Sequence, residues 1–136
     1  MKDKECIFCM LAGGEIPTSK IYEDDEVAVI LDAGPASRGH ALVMPKDHYA
    51  NLAETPANLV SKLINVATRV GEAQLDALGA AGYNILVNTN EAAGQTVFHT
   101  HVHVIPRYEN EESIVSWTPG KLENGPELAK QIADAM

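Results

Sequence analysis

The chain has 136 residues, of which 46% are hydrophobic and 21% charged, and these values fit one globular domain over residues 1–136. Its formal net charge of −9 argues against a nucleic acid polymer as partner, because affinity for a phosphate backbone needs a basic face. Apolar runs such as residues 27–31 are only as long as a strand, and the N-terminus lacks the apolar core of a signal peptide. We therefore expect a cytoplasmic protein without a membrane partner, while a small anionic ligand is compatible with the charge.

The N-terminal part of the chain predicts one short helix followed by three strands. Residues 5–12 have the pattern of the helix, and the glycine pair that follows would end it. Residues 20–23 and 27–32 predict two strands close enough for a hairpin, and residues 40–45 predict a third strand that a proline would stop. The loop AGPASRG between the second and third strands is suited to functional side chains.

The C-terminal part predicts a long helix, two strands and a further helix. Apolar residues recur near the 3.6-residue period over residues 55–78, with Thr55 as the N-cap and a proline in the first turn. Strands over residues 83–88 and 97–105 follow, separated by the loop TNEAAGQT, and residues 126–135 predict the last helix. This order of helices and strands indicates an α+β fold.

Three of the five histidines lie in the segment HTHVHVIPR, residues 99–107. Because side chains alternate between the two faces of a strand, His99, His101 and His103 share one face, with successive residues about 6.5–7 Å apart. The residues between them face the other way and are typical of a core. The segment therefore predicts a row of imidazoles along one groove.

The row of imidazoles is compatible with a metal, a reaction or a purely structural role. A structural role is disfavoured, because titratable side chains are costly to bury and bring no packing advantage. A His-x-His pair can supply two ligands to a catalytic metal. Alternatively, one neutral imidazole attacks a phosphorus atom while its neighbours donate hydrogen bonds and move a proton to the leaving group. The preceding Gly94-Gln95-Thr96 favours the reaction, since flexible backbone, an amide and a hydroxyl suit a phosphate.

The two cysteines, Cys6 and Cys9, stand in a C-x-x-C arrangement. In a cytoplasmic protein this spacing is more often metal-binding or redox-active than a structural disulfide. The thioredoxin-like interpretation needs a preceding strand, and only five residues come before Cys6. Two thiolates at this spacing suit zinc, and the alternative is that both are ordinary helix residues.

The segment HTHVHVI fits the His-x-His-x-His-x-x signature of the histidine-triad (HIT) superfamily of nucleotide-binding proteins, and the chain most resembles its bacterial and archaeal Hint-like branch. CIFCMLAGGEIPTSKIYEDDEVAVILD, RGHALVMPKDH and GYNILVNTNEAAGQTVFHTHVHVIPRY also resemble the family, in the same order. The likeness covers residues 5–108 and leaves residues 109–136 as a C-terminal extension. It implies a single HIT-like domain, with a five-stranded antiparallel sheet, one long helix and short terminal helices, usually paired into a homodimer.

The resemblance also implies hydrolysis or transfer at the α-phosphorus of a nucleotide. Candidate substrates are nucleoside phosphoramidates, adenylates and dinucleoside polyphosphates. By motif position, His101 is the nucleophile that forms a nucleotidyl-histidine intermediate, and the His99 carbonyl orients its other ring nitrogen. His103 contacts the phosphate, and His40 matches the fourth histidine that the family places near the catalytic group.

The same resemblance implies a binding site for a purine nucleotide. Asp32 matches the carboxylate that binds the ribose hydroxyls. The positions on the phosphate side are Asn88, Gly94, Gln95 and Thr96. The apolar positions against the base are Phe8, Leu11 and Ala33. Many members carry a larger branched residue in place of Ala33, so this chain offers less apolar surface to the base.

Some bacterial members of the family are zinc proteins with the same cysteine and histidine pattern. This implies a closed structural zinc site at Cys6, Cys9, His48 and His99, which would pin the N-terminal helix beside the catalytic strand. No organic cofactor is expected. Thr100 stands where the family prefers an apolar residue, and a hydroxyl packed on the long helix needs a partner such as a helix carbonyl.

Two other functions are compatible with these residues. The chain could be a nucleotide-binding sensor or scaffold in which catalysis is weak or incidental. It could also be a hydrolase whose catalytic metal is held by His99, His101 and His103, and activity that survives complete metal removal would exclude that case.

Overall fold

The computed structural model describes residues 3–113 and 115–136, and its elements follow the order that the sequence predicts. The helices and strands are α1 Ile7–Ala12, β1 Lys20–Glu23, β2 Val27–Leu31, β3 Ala41–Pro45, α2 Ala57–Leu78, β4 Gly82–Leu86, β5 Val102–Arg107 and α3 Gly125–Ala135. Short 3-10 turns at Leu52–Glu54 and Glu91–Ala93 precede α2 and follow β4. Every end agrees with the prediction to within two residues except the start of β5.

The five strands form one antiparallel sheet in the order β1-β2-β3-β5-β4. This confirms the expected α+β fold, with a five-stranded antiparallel sheet, the long helix α2 and a short helix near each end. β5 lies between β3 and β4, and its register places His103 beside Leu42 of β3. The histidine motif therefore reaches the interior of the sheet rather than an edge.

Both faces of the sheet are covered, because β2 and β3 bury the side chains of both faces. The α2 face holds a cluster of Val27, Val29, Ala41, Val43, Leu59, Leu63, Val66, Ala67, Val70, Val102 and Val104. The opposite face holds a smaller cluster of Ala12, Ala28, Ile30, Leu42 and Met44. Strand alternation and the helical period of α2 explain this division. Since Ala12 belongs to α1, the two helices lie on opposite faces.

The start of α2 corrects the predicted N-cap. The helix begins after Thr55 and has no side-chain cap hydrogen bond. The Thr55 hydroxyl instead lies 2.9 Å from the Asn51 carbonyl and 2.9 Å from the Thr100 hydroxyl. Thr100 also donates to the Tyr49 carbonyl over 3.1 Å, so its partners lie in the loop before α2 and not on a helix carbonyl. The buried Thr100 thereby ties the histidine motif to that loop.

β5 begins at Val102, later than the predicted start at residue 97. The backbone N–H of Thr100 donates to the Tyr49 carbonyl over 2.7 Å. The segment before β5 is therefore hydrogen-bonded to the loop that follows β3 instead of to a neighbouring strand. This long-range pairing could not be deduced from the alternation of residue types.

The later start of β5 changes the placement of the three motif histidines. His103 lies within the strand, whereas His99 and His101 precede it in irregular backbone. The prediction that all three stand on one regular strand is therefore wrong. Pro106 lies inside β5 opposite Tyr83.

The C-terminal helix is confirmed as α3, and it buries none of its residues. Its apolar side chains Leu128 and Ile132 are 46% and 64% exposed. None of the described helices combines the length and apolarity needed to cross a bilayer.

Candidate active site and metal cluster

A groove of about 750 Å³ opens between α1, the end of β2 and the histidine motif. Small-molecule sites in proteins typically enclose about 300–1,000 Å³. The predicted site residues that line it are Phe8, Leu11, Asp32, Ala33, Thr96, His101 and His103. The fold therefore gathers the expected base, ribose and catalytic positions around one opening.

His101 is held in one orientation by its own neighbour in the chain. Its Nδ1 lies 2.7 Å from the His99 carbonyl oxygen. A carbonyl only accepts hydrogen bonds, so Nδ1 carries the proton and Nε2 of the neutral ring carries the lone pair. Burial lowers the pKa of His101, although the His99 carbonyl and Asp32 act in the opposite direction. The ring is therefore set up as a neutral nucleophile with a defined tautomer.

His40 and His103 form a directed hydrogen-bond chain beside His101. The backbone N–H of Ala36 donates to Nδ1 of His40 over 3.0 Å, which leaves the proton of neutral His40 on Nε2. That Nε2 lies 2.9 Å from Nδ1 of His103 and donates to it. His103 therefore carries its own proton on Nε2, and its ring centroid lies 5.0 Å from that of His101. The chain places a hydrogen-bond donor next to the nucleophile.

Burial keeps His103, the second histidine of this hydrogen-bond chain, neutral. It lowers the pKa of His103 to about 4, and the neighbouring His101 and His40 act in the same direction. Burial also lowers the pKa of His40, against the attraction of Asp32. The tautomers assigned to His40 and His103 require neutral rings, and the lowered pKa values are consistent with them.

The same hydrogen bonds argue against a metal inside the groove. Ligand atoms of Asp32, His40 and His103 all lie within 4.8 Å of one another. However, His40 accepts at Nδ1 from a backbone N–H, so its Nε2 is protonated and has no lone pair for a cation. Among the described residues, no cluster of candidate ligands joins His99, His101 and His103. The catalytic-metal interpretation of the motif therefore lacks its ligand set.

Asp32 supplies the carboxylate of the groove at the end of β2. Its Oδ1 accepts the backbone N–H of Gly34 over 2.8 Å, and its Oδ2 lies 3.5 Å from Nε2 of His40. A carboxylate accepts several hydrogen bonds at once. Asp32 is therefore fixed in place while it retains capacity for the hydroxyl groups of a ligand.

The loop before the histidine motif is clamped by Gln95, which is only 2% exposed. Its Nε2 donates to the carbonyls of Ala50 and Val97, at 2.7 and 3.2 Å, and its Oε1 accepts the N–H of Asn90 over 2.9 Å. The Gln95 amide, expected to suit a phosphate, is therefore occupied within the protein. Any phosphate contact of this residue would have to come from its backbone.

The other predicted phosphate-side residues surround that clamp. Gly94 adopts a positive φ of 99°, a conformation that favours glycine. The Asn88 side-chain amide donates to the Gly94 carbonyl over 3.5 Å. Thr96 is exposed and lines the groove. Of the four residues, Thr96 is thus the one whose side chain reaches the opening.

Next to the groove, Cys6, Cys9, His48 and His99 form a four-membered cluster. Their ligand atoms all lie within 4.8 Å of one another. His99 is fully buried, and its Nε2 donates to the Pro45 carbonyl over 2.8 Å, which leaves the lone pair on Nδ1. That Nδ1 lies 3.4 Å from Sγ of Cys6 and 3.3 Å from Sγ of Cys9. The structure thus brings together the four residues that the resemblance implied.

The donor set and spacing of this cluster fit zinc. Tetrahedral coordination with Zn–S of about 2.3 Å and Zn–N of about 2.0–2.1 Å places ligand atoms about 3.3–3.8 Å apart. The sulfur–nitrogen distances to His99 fall in this range, and Sγ of Cys9 lies 3.5 Å from Nδ1 of His48. Both cysteines are free thiols rather than a disulfide. Burial raises the pKa of Cys9, a cost that a bound divalent cation would offset by stabilising the thiolate.

Two of the three backbone groups that orient the site could not have been found from the sequence, whereas the resemblance implied the third, the His99 carbonyl. The carbonyls of Pro45 and His99 and the N–H of Ala36 fix the tautomers of His99, His101 and His40. Every residue offers a backbone carbonyl and every residue except proline an N–H, so residue type carries no signal for the Pro45 carbonyl or the Ala36 N–H.

Comparison with known proteins places these observations in a family. A family model described as HIT domain matches residues 13–110. The adenylylsulfatase HINT3 of Arabidopsis thaliana is 45% identical over 107 residues, which cover 79% of this chain and 54% of that protein. This chain therefore spans about half the length of that relative.

Solved structures match over nearly the whole chain. A HIT family protein from Bacillus anthracis matches with a TM-score of 0.86 and 36% identity, covering 98% of both chains. A Zn-bound histidine triad family protein from Mycobacterium smegmatis matches with a TM-score of 0.78 and 38% identity, covering 97% of this chain and 98% of that one. Because the family model and these solved structures match a chain with the histidine motif and the five-stranded sheet described above, the chain belongs to the HIT domain family.

Proposed function

We propose that the protein is a nucleotide hydrolase or nucleotidyl transferase that acts at the α-phosphorus through a covalent intermediate on His101. The observation that carries this proposal is the 2.7 Å hydrogen bond from His101 Nδ1 to the His99 carbonyl. It leaves the Nε2 lone pair on a neutral ring that lines the groove. A binding protein without chemistry would not need this orientation.

The reaction has two balanced steps. In the first, Nε2 of His101 forms a bond to the α-phosphorus as the bond from phosphorus to the leaving group breaks, and the leaving group departs with its electron pair and takes up a proton from solvent. In the second, water attacks the same phosphorus and gives up a proton to solvent as the bond to His101 breaks, which releases a nucleoside monophosphate and regenerates the neutral imidazole. The Nε2–H of His103 supplies a donor for the phosphoryl oxygens, whose charge grows during each attack.

The remaining groove residues suit a purine nucleoside monophosphate. Asp32 would accept from the ribose hydroxyls, and the apolar side chains of Phe8, Leu11 and Ala33 would contact the base. Thr96 and the backbone around it lie on the phosphate side. The acidic net charge does not oppose this assignment, because one phosphate needs only a few local donors.

The substrate must be a nucleotide whose α-phosphorus carries a group that an imidazole can displace. Nucleoside phosphoramidates, adenylates and dinucleoside polyphosphates all carry a nucleotidyl group that can pass to an imidazole. The Arabidopsis relative is named an adenylylsulfatase, and this name supports extending an adenylyl-directed activity to the present chain.

We also propose a structural zinc ion at Cys6, Cys9, His48 and His99. The ion would supply a tetrahedral cross-link and no open coordination position, so it would have no direct part in the reaction. The Zn-bound relative from Mycobacterium smegmatis supports this assignment, as does the fit of the donor set.

A homodimer is the assembly we propose for the protein. β4 is an edge of the sheet, and its Ile85 side chain is 37% exposed. Edge strands need to be covered or blocked, and a two-fold copy of the same strand is one way to cover them.

The experiment that tests the function is substitution of the nucleophile. His101→Ala and His101→Asn should lower the rate of adenosine 5′-phosphoramidate hydrolysis by several orders of magnitude, because only binding and positioning remain. AMP binding by the same variants, measured by calorimetry, checks that the groove is intact. More than about a tenth of the wild-type rate in either variant would contradict the covalent assignment, and mass spectrometry should detect a nucleotidyl adduct on the wild-type protein alone.

A further inference from the structure

α1 takes part in both the metal cluster and the groove. Its N-cap residue Cys6 and its buried residue Cys9 face the cluster, whereas Phe8 and Leu11 line the groove. The helix is only six residues long, so a shift of the cysteines would move the groove residues with them.

Phe8 connects α1 to the reacting group by a direct contact with His101. Its ring meets the His101 ring edge-on, with centroids 4.8 Å apart, and it lies 6.1 Å from the His99 ring. Aromatic pairs at such distances prefer this arrangement. The nucleophile and one wall of the groove therefore depend on where α1 sits.

Apart from the metal cluster, α1 is attached to the sheet by the apolar packing of Phe8, Leu11 and Ala12 on the smaller core cluster. Of its residues only Cys9 and Ala12 are buried, and a helix of this length is not stable by itself in water. The side-chain contacts that tie Cys6 and Cys9 to distant parts of the chain all end on His48 or His99. His99, in contrast, is held by the Pro45 carbonyl whatever the state of the cysteines.

From this arrangement we infer that occupancy of the cluster by zinc positions α1, and through Phe8 couples metal binding to nucleotide binding. The inference rests on the proposed function, because it concerns the same groove. Cys6, Cys9 and His48 then act as positioning residues for a site that they do not touch. Thermodynamic linkage requires the effect to be reciprocal, so a bound nucleotide must tighten zinc binding by the same factor.

The test compares AMP binding by zinc-loaded and chelator-treated wild-type protein, using calorimetry at a temperature where circular dichroism shows both to be folded. We expect the zinc-free protein to bind AMP about tenfold more weakly. Zinc affinity, measured by competition with a chromophoric chelator, should rise about tenfold when AMP is saturating. Neither measurement depends on turnover.

Two variants separate positioning by α1 from general stabilisation. Phe8→Leu leaves all four metal ligands in place and removes the contact to His101, so saturating AMP should slow zinc release less than about twofold in this variant. Asp32→Asn is the matched control, because it weakens AMP binding from the opposite wall of the groove. In that variant saturating AMP should slow zinc release about tenfold, as in the wild type. Zinc release is measured on loaded, folded protein, so the comparison holds even if the zinc-free form unfolds.

Three results would overturn the inference. They are equal AMP affinity with and without zinc, an undiminished effect of AMP in Phe8→Leu, and a cluster that binds no zinc. The proposed function would survive each of them if His101 still forms its adduct. A zinc-loaded wild-type protein that neither binds AMP nor hydrolyses the phosphoramidate would overturn both.

Discussion

His40 donates a hydrogen bond from Nε2 to Nδ1 of His103 across 2.9 Å, and this one bond sets the proton position of the imidazole beside His101. The direction follows from the Ala36 N–H, which occupies the other nitrogen of His40. The backbone amide of Ala36 thus determines, through two hydrogen bonds, which nitrogen of His103 donates toward the reacting group. This arrangement makes His40 a positioning residue rather than one that contacts the phosphate.

Replacement of His40 tests that role. His40→Leu cannot donate to His103, so His103 loses its fixed tautomer, and we expect kcat to fall by roughly tenfold or more. His40→Gln keeps a donor of similar reach and should recover a substantial part of that loss. AMP affinity should change less than threefold in both variants, because neither removes a ligand contact. Equal kcat values for the two variants would contradict the assigned direction of the hydrogen bond.

Metal analysis tests the zinc assignment. Protein purified without a histidine tag should contain close to one zinc per chain, whereas Cys9→Ser should lose it. Chelation should lower the thermal midpoint, since ligands that bind only the folded state stabilise it. With saturating substrate, kcat of the chelated, folded protein should fall far less than kcat of His101→Ala, because the ion has no open position for catalysis. Less than about a tenth of an equivalent of zinc would count against the site.

The buried hydroxyl pair of Thr55 and Thr100 should behave as a coupled unit. Thr100→Val leaves Thr55 with one fewer partner, and we expect a loss of about 1 kcal/mol of unfolding free energy. The double variant Thr55→Val/Thr100→Val should lose less than the sum of the single losses, by about 0.5 kcal/mol or more. Urea denaturation of the four proteins gives this cycle, and strict additivity would show that the 2.9 Å contact contributes nothing.

The stability of the protein should fall at mildly acidic pH. Burial lowers the pKa of His103 to about 4, whereas histidine in an unfolded chain titrates near about 6.5. Between these values the unfolded state binds more protons, so the free energy of unfolding decreases as pH drops through this window. The contribution is at most about 1.4 kcal/mol per pH unit.

A substitution identifies the group behind that pH dependence. His103→Gln should show a shallower decline than the wild type in urea denaturation series from about pH 7 to about pH 4.5. His101, His40 and Asp32 face the same ring, so their titration remains in the variant and the slope should not vanish. Parallel slopes for the two proteins would exclude His103 as a contributor.

The sequence predicted the elements and the grouping of the site residues better than the path of the backbone between the elements. The residue pattern predicted the bounds of β1 without error, and strand alternation predicted the core position of Val102 between the histidines. The start of β5 was wrong because the Thr100 N–H pairs with the Tyr49 carbonyl, a contact between residues far apart in the chain. Thr55 was misassigned as a cap for the same reason.

The sequence indicated which residues belong to the site, but not which partner each side chain contacts. Gln95 was expected to contact phosphate, and burial instead commits its amide to Ala50, Asn90 and Val97. The polar side chain gave no indication of which partners it would find after folding. In contrast, the metal cluster was anticipated, because the resemblance implied His48 and His99 as partners for the zinc-like spacing of Cys6 and Cys9.

The Gln95 clamp makes the two sides of the groove unequal as targets for engineering. Gln95 holds the loop around it in place before any ligand binds, so a change at Gln95 would disturb three hydrogen bonds to backbone groups at once. The α1 side offers Phe8 and Leu11, which are only partly buried. Libraries that seek a new base or leaving-group preference should therefore vary these two residues, keep the metal ligands Cys6 and Cys9, and leave the clamped loop unchanged.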